Sequence, residues 1–289
     1  MLGLNKRQLA EDIRRWLDED IGMGDLSSMA TIPEDHRSIG IIHMKQAGIV
    51  AGLPAAELVF AIVDPELTFT PQVLEGQAVD KGTIVARIAG RSKSILVAER
   101  LALNLMQRMS GIATQTRRYV DALGGLSTRL ADTRKTTPGH RMLEKYAVRI
   151  GGGHNHRFGL FDAVMIKDNH IKASGGVTAA IRSARAEIPH TMKIEVEVEH
   201  FDQLNEAIEA QADIIMLDNM SLDRMKEAVA RIKHVAPHII VEASGGVQLD
   251  TIKSIAETGV DVISVGRLTY SVEALDISLD LNEQKGSAT

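Results

Sequence analysis

From residue 128 onward the chain keeps one rhythm: a short apolar run, a polar residue or two at its end, then a helical stretch. The apolar runs fall at 130–131, 163–166, 194–198, 214–217, 239–241 and 262–265. Helical spacing fills the intervals at 138–150, 177–188, 201–210, 222–235 and 249–258. Strands alternating with helices of this length imply a parallel sheet, because each helix returns the chain to the edge where the last strand began. The number of units predicts a (β/α) barrel rather than an open doubly wound sheet. Six units instead of eight predict an incomplete one. Thr137 before Pro138 reads as an N-cap with proline at the first helical position, and Gly151 as the helix stop.

Up to about residue 112 the pattern is mixed. Leu9, Ile13, Trp16 and Leu17 recur at helical spacing and end near Gly22-Met23-Gly24-Asp25. Strand-like runs at 39–44, 67–73 and 83–88 are separated by the turn pairs Glu75-Gly76 and Lys81-Gly82. A long helix over 94–123 carries Val97, Leu101, Leu105 and Met109 in steps of four. The expected fold class is therefore α/β, an incomplete parallel (β/α) barrel with a mixed α+β N-terminal domain. That domain should cover 1–112, rejoined by 268–289, with the barrel over 113–267.

Composition removes several function classes. The absence of Cys excludes disulfides and thiolate metal sites. No run approaches the roughly 18 to 20 apolar residues of a membrane helix. The start of the chain breaks into charges without a signal-peptide stretch, so a cytoplasmic protein is expected. A net charge of -5 with only nine aromatic residues argues against a nucleic-acid surface.

Inside this acidic chain lies a cationic island. Residues 131–172 hold eight Lys/Arg and four His against four acids. Arginine forks, lysine point charges and close glycine backbone are the parts of a site for a multiply anionic small ligand. In a barrel the C-terminal strand ends converge on one mouth, where chemistry sits. Those ends carry Asp132, Arg134 and Lys135; Lys167 and Asp168; Glu197 and Glu199; Asp218 and Asn219; Glu242 and Ser244; and Gly266. Ser244-Gly245-Gly246 and Gly266 occupy the loops after the last strands, where barrels commonly hold a phosphate. A cationic pocket, a carboxylate pair and a phosphate cradle fit a polycarboxylate meeting a pyrophosphorylated ribose: acids for an oxocarbenium-like centre, cations for departing pyrophosphate.

Taken singly, these residues have plainer readings. Arg134 and Lys135 also fit ordinary surface cations. Arg100 beside Glu99 fits a helix-surface ion pair. His154, His156 and His170 give no standard zinc set by spacing. Glu195, Glu197 and Glu199 share one strand face, which in a central barrel strand points inward and needs cationic partners.

In combination they become specific. DTRKTTPG from Asp132, Tyr146-Ala-Val, GGGHNHR from Gly151 and IKDNHI from Ile166 resemble the quinolinate phosphoribosyltransferase family. So do ERLALN from Glu99, SGIAT from Ser110, EVEV from Glu195, LDNM from Leu217 and ASGGV from Ala243. The resemblance covers nearly the whole chain and implies transfer of phosphoribose from phosphoribosyl pyrophosphate (PRPP) to quinolinate with decarboxylation. The products would be nicotinate mononucleotide, pyrophosphate and CO2, a step of NAD biosynthesis, with Mg2+ as cofactor. It implies that Arg134, His156, Arg157 and Lys167 line the quinolinate pocket with Thr133 nearby, and that Lys135 lies toward pyrophosphate. Glu197 and Asp218 would face the ribose and its metal. Ser244, Gly245 and Gly266 would hold the 5′-phosphate. Arg100 would enter the pocket of a partner subunit in a homodimer or higher homo-oligomer. The chain departs from the family at Arg267 and Tyr270, where Ala and His are usual. A related phosphoribosyltransferase of other specificity would lack Lys167-Asp-Asn-His or the paired arginines; a non-catalytic phosphosugar module would not need Glu197 and Asp218.

Overall fold

Leu9, Ile13 and Leu17 lie on one buried stripe, and Asn5 caps the helix they define, its side chain accepting the Gln8 N–H at 3.2 Å. In the computed structural model, which describes residues 3–282, this is α1 (Lys6–Ile21). There follow α2 (Leu26–Thr31), β1 (Arg37–Met44), β2 (Gly48–Ile49), α3 (Leu53–Val63), β3 (Thr68–Pro71), β4 (Ala78–Val79), β5 (Ile84–Arg91) and α4 (Ser92–Ala122). Next come β6 (Arg129–Ala131), α5 (Arg141–Ile150), β7 (Val164–Ile166), α6 (Asp168–Ser174), α7 (Val177–Glu187), β8 (Ile194–Val198) and α8 (Phe201–Glu209). The last are β9 (Ile214–Asp218), α9 (Leu222–Val235), β10 (Ile240–Ser244), α10 (Ile252–Ala256), β11 (Val262–Ser264), α11 (Arg267–Tyr270) and β12 (Ile277–Asn282).

The chain forms two units. The first holds residues up to Gln115, Met142–Gly151 and the return from Val272; the second holds Thr116–Arg141 and Gly152–Ser271. Of the expected return over 268–289, residues 283–289 lie outside the described residues.

In the first unit an antiparallel sheet has the order β12-β1-β5-β3, and β2 pairs with β4. Its buried face carries Ile42, Met44, Val85 and Ile88. α4 buries the expected Leu101, Leu105 and Met109, with Val97 half-buried, and its buried surface widens to Ile95, Ala98, Ala102 and Met106. The returning segment presses against α4 at Gly111, where an added Cβ would stand 2.3 Å from the Glu273 carbonyl. Only a glycine admits backbone that close. Asp64, at the end of α3, accepts Arg91 Nε at 2.9 Å and Ser94 Oγ at 2.7 Å, tying α3 to β5 and to the start of α4. The guanidinium holds the Asp64 carboxyl down at about 2.

The second unit is the expected incomplete barrel. Six parallel strands run β6-β11-β10-β9-β8-β7, and β6 and β7 are not paired with each other. Strand interiors are mostly apolar on both faces because helices cover one side and the barrel core the other, with Glu195 on β8 and Glu242 on β10 as buried exceptions. Ile194, Val196, Ile215, Leu217, Val241, Ala243 and Ile263 are fully buried. One local expectation is overturned: the helix after β6 starts at Arg141, not at Pro138. Residues 137–140 instead form a turn closed by the His140 N–H on the Thr137 carbonyl at 3.0 Å. Gly151 does terminate the helix, its N–H reaching the Ala147 carbonyl.

Candidate active site

Residues 152–157 answer the gap between β6 and β7 on the β6 side. His154 makes a parallel bridge to Ala131, donating its N–H to the Leu130 carbonyl at 2.8 Å and accepting the Asp132 N–H at 3.1 Å. The buried Asp132 carboxylate then takes Asn155 Nδ2 at 2.6 Å and the His156 N–H at 2.8 Å. This stretch has no strand periodicity, yet these bonds fix it as a stub beside β6 and bring His156 and Arg157 to the barrel mouth. Arg141 ties the neighbouring loops, donating to Thr136 Oγ1 at 2.9 Å and to the Phe158 carbonyl at 3.1 Å.

A cavity of about 620 Å3 opens where the strands end. Thr133, Arg134 and Lys135 reach it from the end of β6, His156 and Arg157 from the stub, and Lys167 from the end of β7. Glu197 comes from β8, Asp218 and Asn219 from β9, and Ser244, Gly245 and Gly246 from β10. Gly266 lines an adjoining cavity of about 140 Å3 with Lys135, Ser244, Gly245, Arg267 and Tyr270. A Cβ at Gly266 would lie 2.9 Å from both Lys135 and the Tyr270 ring. Of the residues expected in the site, Arg100 alone lines neither cavity: it is exposed on α4 in the first unit, 4.0 Å from Glu99.

Charge inside the pocket is separated into two sectors. Arg134 and Arg157 each have a buried Nε without a hydrogen-bond partner. Burial, then the neighbouring Arg134, pushes the Arg157 guanidinium below its usual pKa. Two cations that repel each other with donors unspent form a receptor for anions. In the other sector Lys167 Nζ donates to Glu197 Oε2 at 2.8 Å. Burial, then the Glu197 charge, pushes the Asp218 carboxyl up, and Asn219 Nδ2 donates to it at 2.7 Å. Glu197 and Asp218 are hard oxygen donors in a locally anionic corner, short of a complete cage. Mg2+ is held in that way, by one or two carboxylates plus substrate phosphates, so the donor set fits the ion.

The loop after β10 is built by interlocking turns. Gly245 has φ +93, and a Cβ there would fall 2.2 Å from Asn219 Oδ1. Asn219 is itself left-handed, at φ 51.

Beneath the pocket lies a cluster whose members were read separately in the sequence and never as one group. His156 Nε2 stands 3.2 Å from Glu195 Oε2 and 3.5 Å from Glu242 Oε1, and both glutamates are 3% exposed. Burial, then the Glu195 charge, pushes the Glu242 carboxyl up to about 7. Glu195 and Glu197 do point inward, but Glu199 lies past the end of β8 and is exposed. Alternation on β8 carried the signal for Glu195, and the end of an apolar run that for Glu242; nothing local joined the two. No helix among the described residues is long and apolar enough to cross a membrane.

Known proteins resemble this chain along nearly its whole length. Residues 25–110 match the model of the quinolinate phosphoribosyl transferase N-terminal domain, and residues 112–280 that of its C-terminal domain. A Synechocystis protein named probable nicotinate-nucleotide pyrophosphorylase (carboxylating) is 48% identical over 93% of this chain and 91% of its own length. A Bacillus subtilis protein of the same name is 44% identical over 96% and 95% of the two chains. The crystal structure of NadC from Streptococcus pyogenes superposes with a TM-score of 0.92 at 41% identity, covering 98% of this chain and all of the other.

Proposed function

The chain belongs to the quinolinate phosphoribosyltransferase family, and we propose that its 620 Å3 cavity joins quinolinate to PRPP with loss of CO2. The products are nicotinate mononucleotide and pyrophosphate, a step of NAD biosynthesis. The observation that carries this reading is the meeting, in one cavity, of a paired arginine receptor, the Lys167–Glu197–Asp218 corner and the Ser244–Gly246 loop.

Each sector has a task. Arg134, Arg157 and Lys167 bind the two carboxylates of quinolinate, with Thr133 and His156 bordering them. Ser244, Gly245 and Gly266 take the 5′-phosphate, and Lys135 the pyrophosphate side. Glu197 and Asp218 face the ribose carbon where positive charge develops as pyrophosphate leaves, and oriented carboxylates stabilise that charge. They would also hold Mg2+, which when bound neutralises pyrophosphate charge. Once ribosylated, the pyridine nitrogen is cationic and stabilises the carbanion left at C2 by CO2, and that carbon takes up one proton to complete nicotinate mononucleotide. The protein's part in that step is to hold the dianion and exclude water.

The enzyme works as a homodimer or higher homo-oligomer in the cytoplasm, with Arg100 of one subunit completing the pocket of another. Its exposed place on α4, 4.0 Å from Glu99 and lining neither cavity, supports a role outside its own pocket.

Mixing the protein with quinolinate, PRPP and Mg2+ should yield nicotinate mononucleotide, read by ultraviolet absorbance. Replacing quinolinate by nicotinate should abolish most turnover. Equal rates with the two acids would overturn the assignment of the paired arginines.

A further inference from the structure

The His156–Glu195–Glu242 cluster has three properties that together determine its protonation. The first is the state of the ring. His156 Nδ1 accepts the Arg157 backbone N–H at 2.8 Å, so that nitrogen carries no proton. The ring hydrogen therefore sits on Nε2, and the imidazole is neutral. This also excludes a cation on Nε2, although the three groups bring a nitrogen and two oxygens within 4.8 Å of one another. A metal there would require the hydrogen on Nδ1 instead.

The second property is a shortage of donors. Nε2–H serves Glu195 at 3.2 Å, while its 3.5 Å separation from Glu242 Oε1 is too long for a good hydrogen bond. Glu242 Oε1 and Ser264 Oγ are both buried and complete no well-formed hydrogen bond; the Ser264 hydroxyl stabilises the ionised carboxyl, but less than burial and the Glu195 charge oppose it. An ionised carboxylate left so poorly served is costly, whereas a neutral acid is not. The third is the charge around it. Glu242 is faced by Glu195 from β8, His156 from the stub and Ser264 from β11, with Arg157 acting on Glu195 but not directly on Glu242.

We propose that Glu242 is a neutral carboxylic acid in the resting enzyme and a positioning residue for quinolinate: by staying uncharged it leaves Glu195 as the one charged partner of the His156 Nε2–H, and the ring keeps its uncharged tautomer. His156 then borders the substrate as a neutral edge, and the positive field falls to Arg134, Arg157 and Lys167. Ionising Glu242 would place a second buried negative charge under a pocket built for a dianion. The inference rests on reading the cavity as the quinolinate site.

The test has two arms. Nitrogen-15 NMR of the substrate-free protein reads the ring directly: His156 should show protonated Nε2 and unprotonated Nδ1 at pH 6.5. An imidazolium, or the opposite tautomer, would overturn the proposal whether or not quinolinate is the substrate. The kinetic arm compares Glu242→Ala with Glu242→Gln. The alanine variant should raise KM for quinolinate at every pH, and the glutamine, which mimics the neutral acid, should restore it at pH 6.5. Above pH 7 the wild-type KM should climb, by at most about tenfold per pH unit, while that of the glutamine variant stays flat. Failure of glutamine to rescue, or a glutamine variant whose KM climbs like the wild type's, would show that Glu242 is not the neutral partner. If neither protein turned over quinolinate, the functional reading would fall while the NMR result still decided the tautomer.

Discussion

Arg134 and Arg157 carry opposite implications before and after substrate arrives. In the empty pocket they repel each other and hold buried Nε donors without partners; a two-carboxylate ligand relieves both penalties at once. Nicotinate, with one carboxylate, leaves a cation unpaired. Breaking a buried charge pair costs about 3 to 5 kcal/mol, and each 1.4 kcal/mol is about tenfold. With water filling part of the space, we expect discrimination of at least about a hundredfold in kcat/KM. Arg157→Ala should therefore damage quinolinate use far more than residual nicotinate use, and steady-state kinetics with both acids checks this. Glu197→Gln and Asp218→Asn should behave differently. Charge at the ribose develops mainly in the transition state, so kcat should fall more than quinolinate binding weakens. Single-turnover rates beside a quinolinate titration separate the two effects, and wild-type turnover in Glu197→Gln would remove that residue from its role.

At the scale of elements, the loop after β10 is shaped by what it must not contain. Gly245→Ala would drive a methyl into Asn219 at a left-handed backbone position, a strain of roughly 1 to 3 kcal/mol. The expected result is a raised KM for PRPP with quinolinate binding less affected. In the first unit, Asp64 holds α3, β5 and α4 through its ionised form. A carboxyl held below its usual pKa adds stability that is full above about 4 and is lost as pH falls toward 2. Asp64→Asn should thus melt at lower temperature than wild type at pH 7, with the gap closing below pH 4 in a thermal-denaturation series. The elements also differ in how plainly they were written. Strands β8 and β9 and helix α9 lie within a residue of where apolar runs place them, because each buries a regular stripe. Helix α3, Leu53–Val63, was missed: its run of apolar residues leaves no polar face to set a period. The stub at 152–157 had no pattern at all, since long-range bonds to β6 and Asp132 hold it rather than local propensity. The mouth cations were legible as a cluster because barrel topology gathers strand ends. Glu242 was legible as a strand-end residue but not in its pairing, because that arises only from His156 and Glu195, far off in sequence and close in space.

For the whole molecule, the decisive question is whether one subunit's pocket is complete. If Arg100 serves a partner, Arg100→Ala and Lys167→Ala proteins should each be inactive, and mixing them under conditions of subunit exchange should restore part of the activity. One composite site per hybrid dimer would then hold both residues. No recovery despite proven exchange would count against the shared pocket. A separate consequence follows from the sheet order β12-β1-β5-β3. β1 lies inside that sheet only because β12 covers its outer edge, and β12 begins about 230 residues after β1 ends. At about 5 to 20 residues per second, a ribosome leaves that edge open for roughly 10 to 50 s. During that wait every strand of the barrel has been made. A nascent chain stalled before Ile277 would therefore carry all the pocket residues while offering the bare edge of β1 to any passing strand, so its hazard in the cell is mispairing.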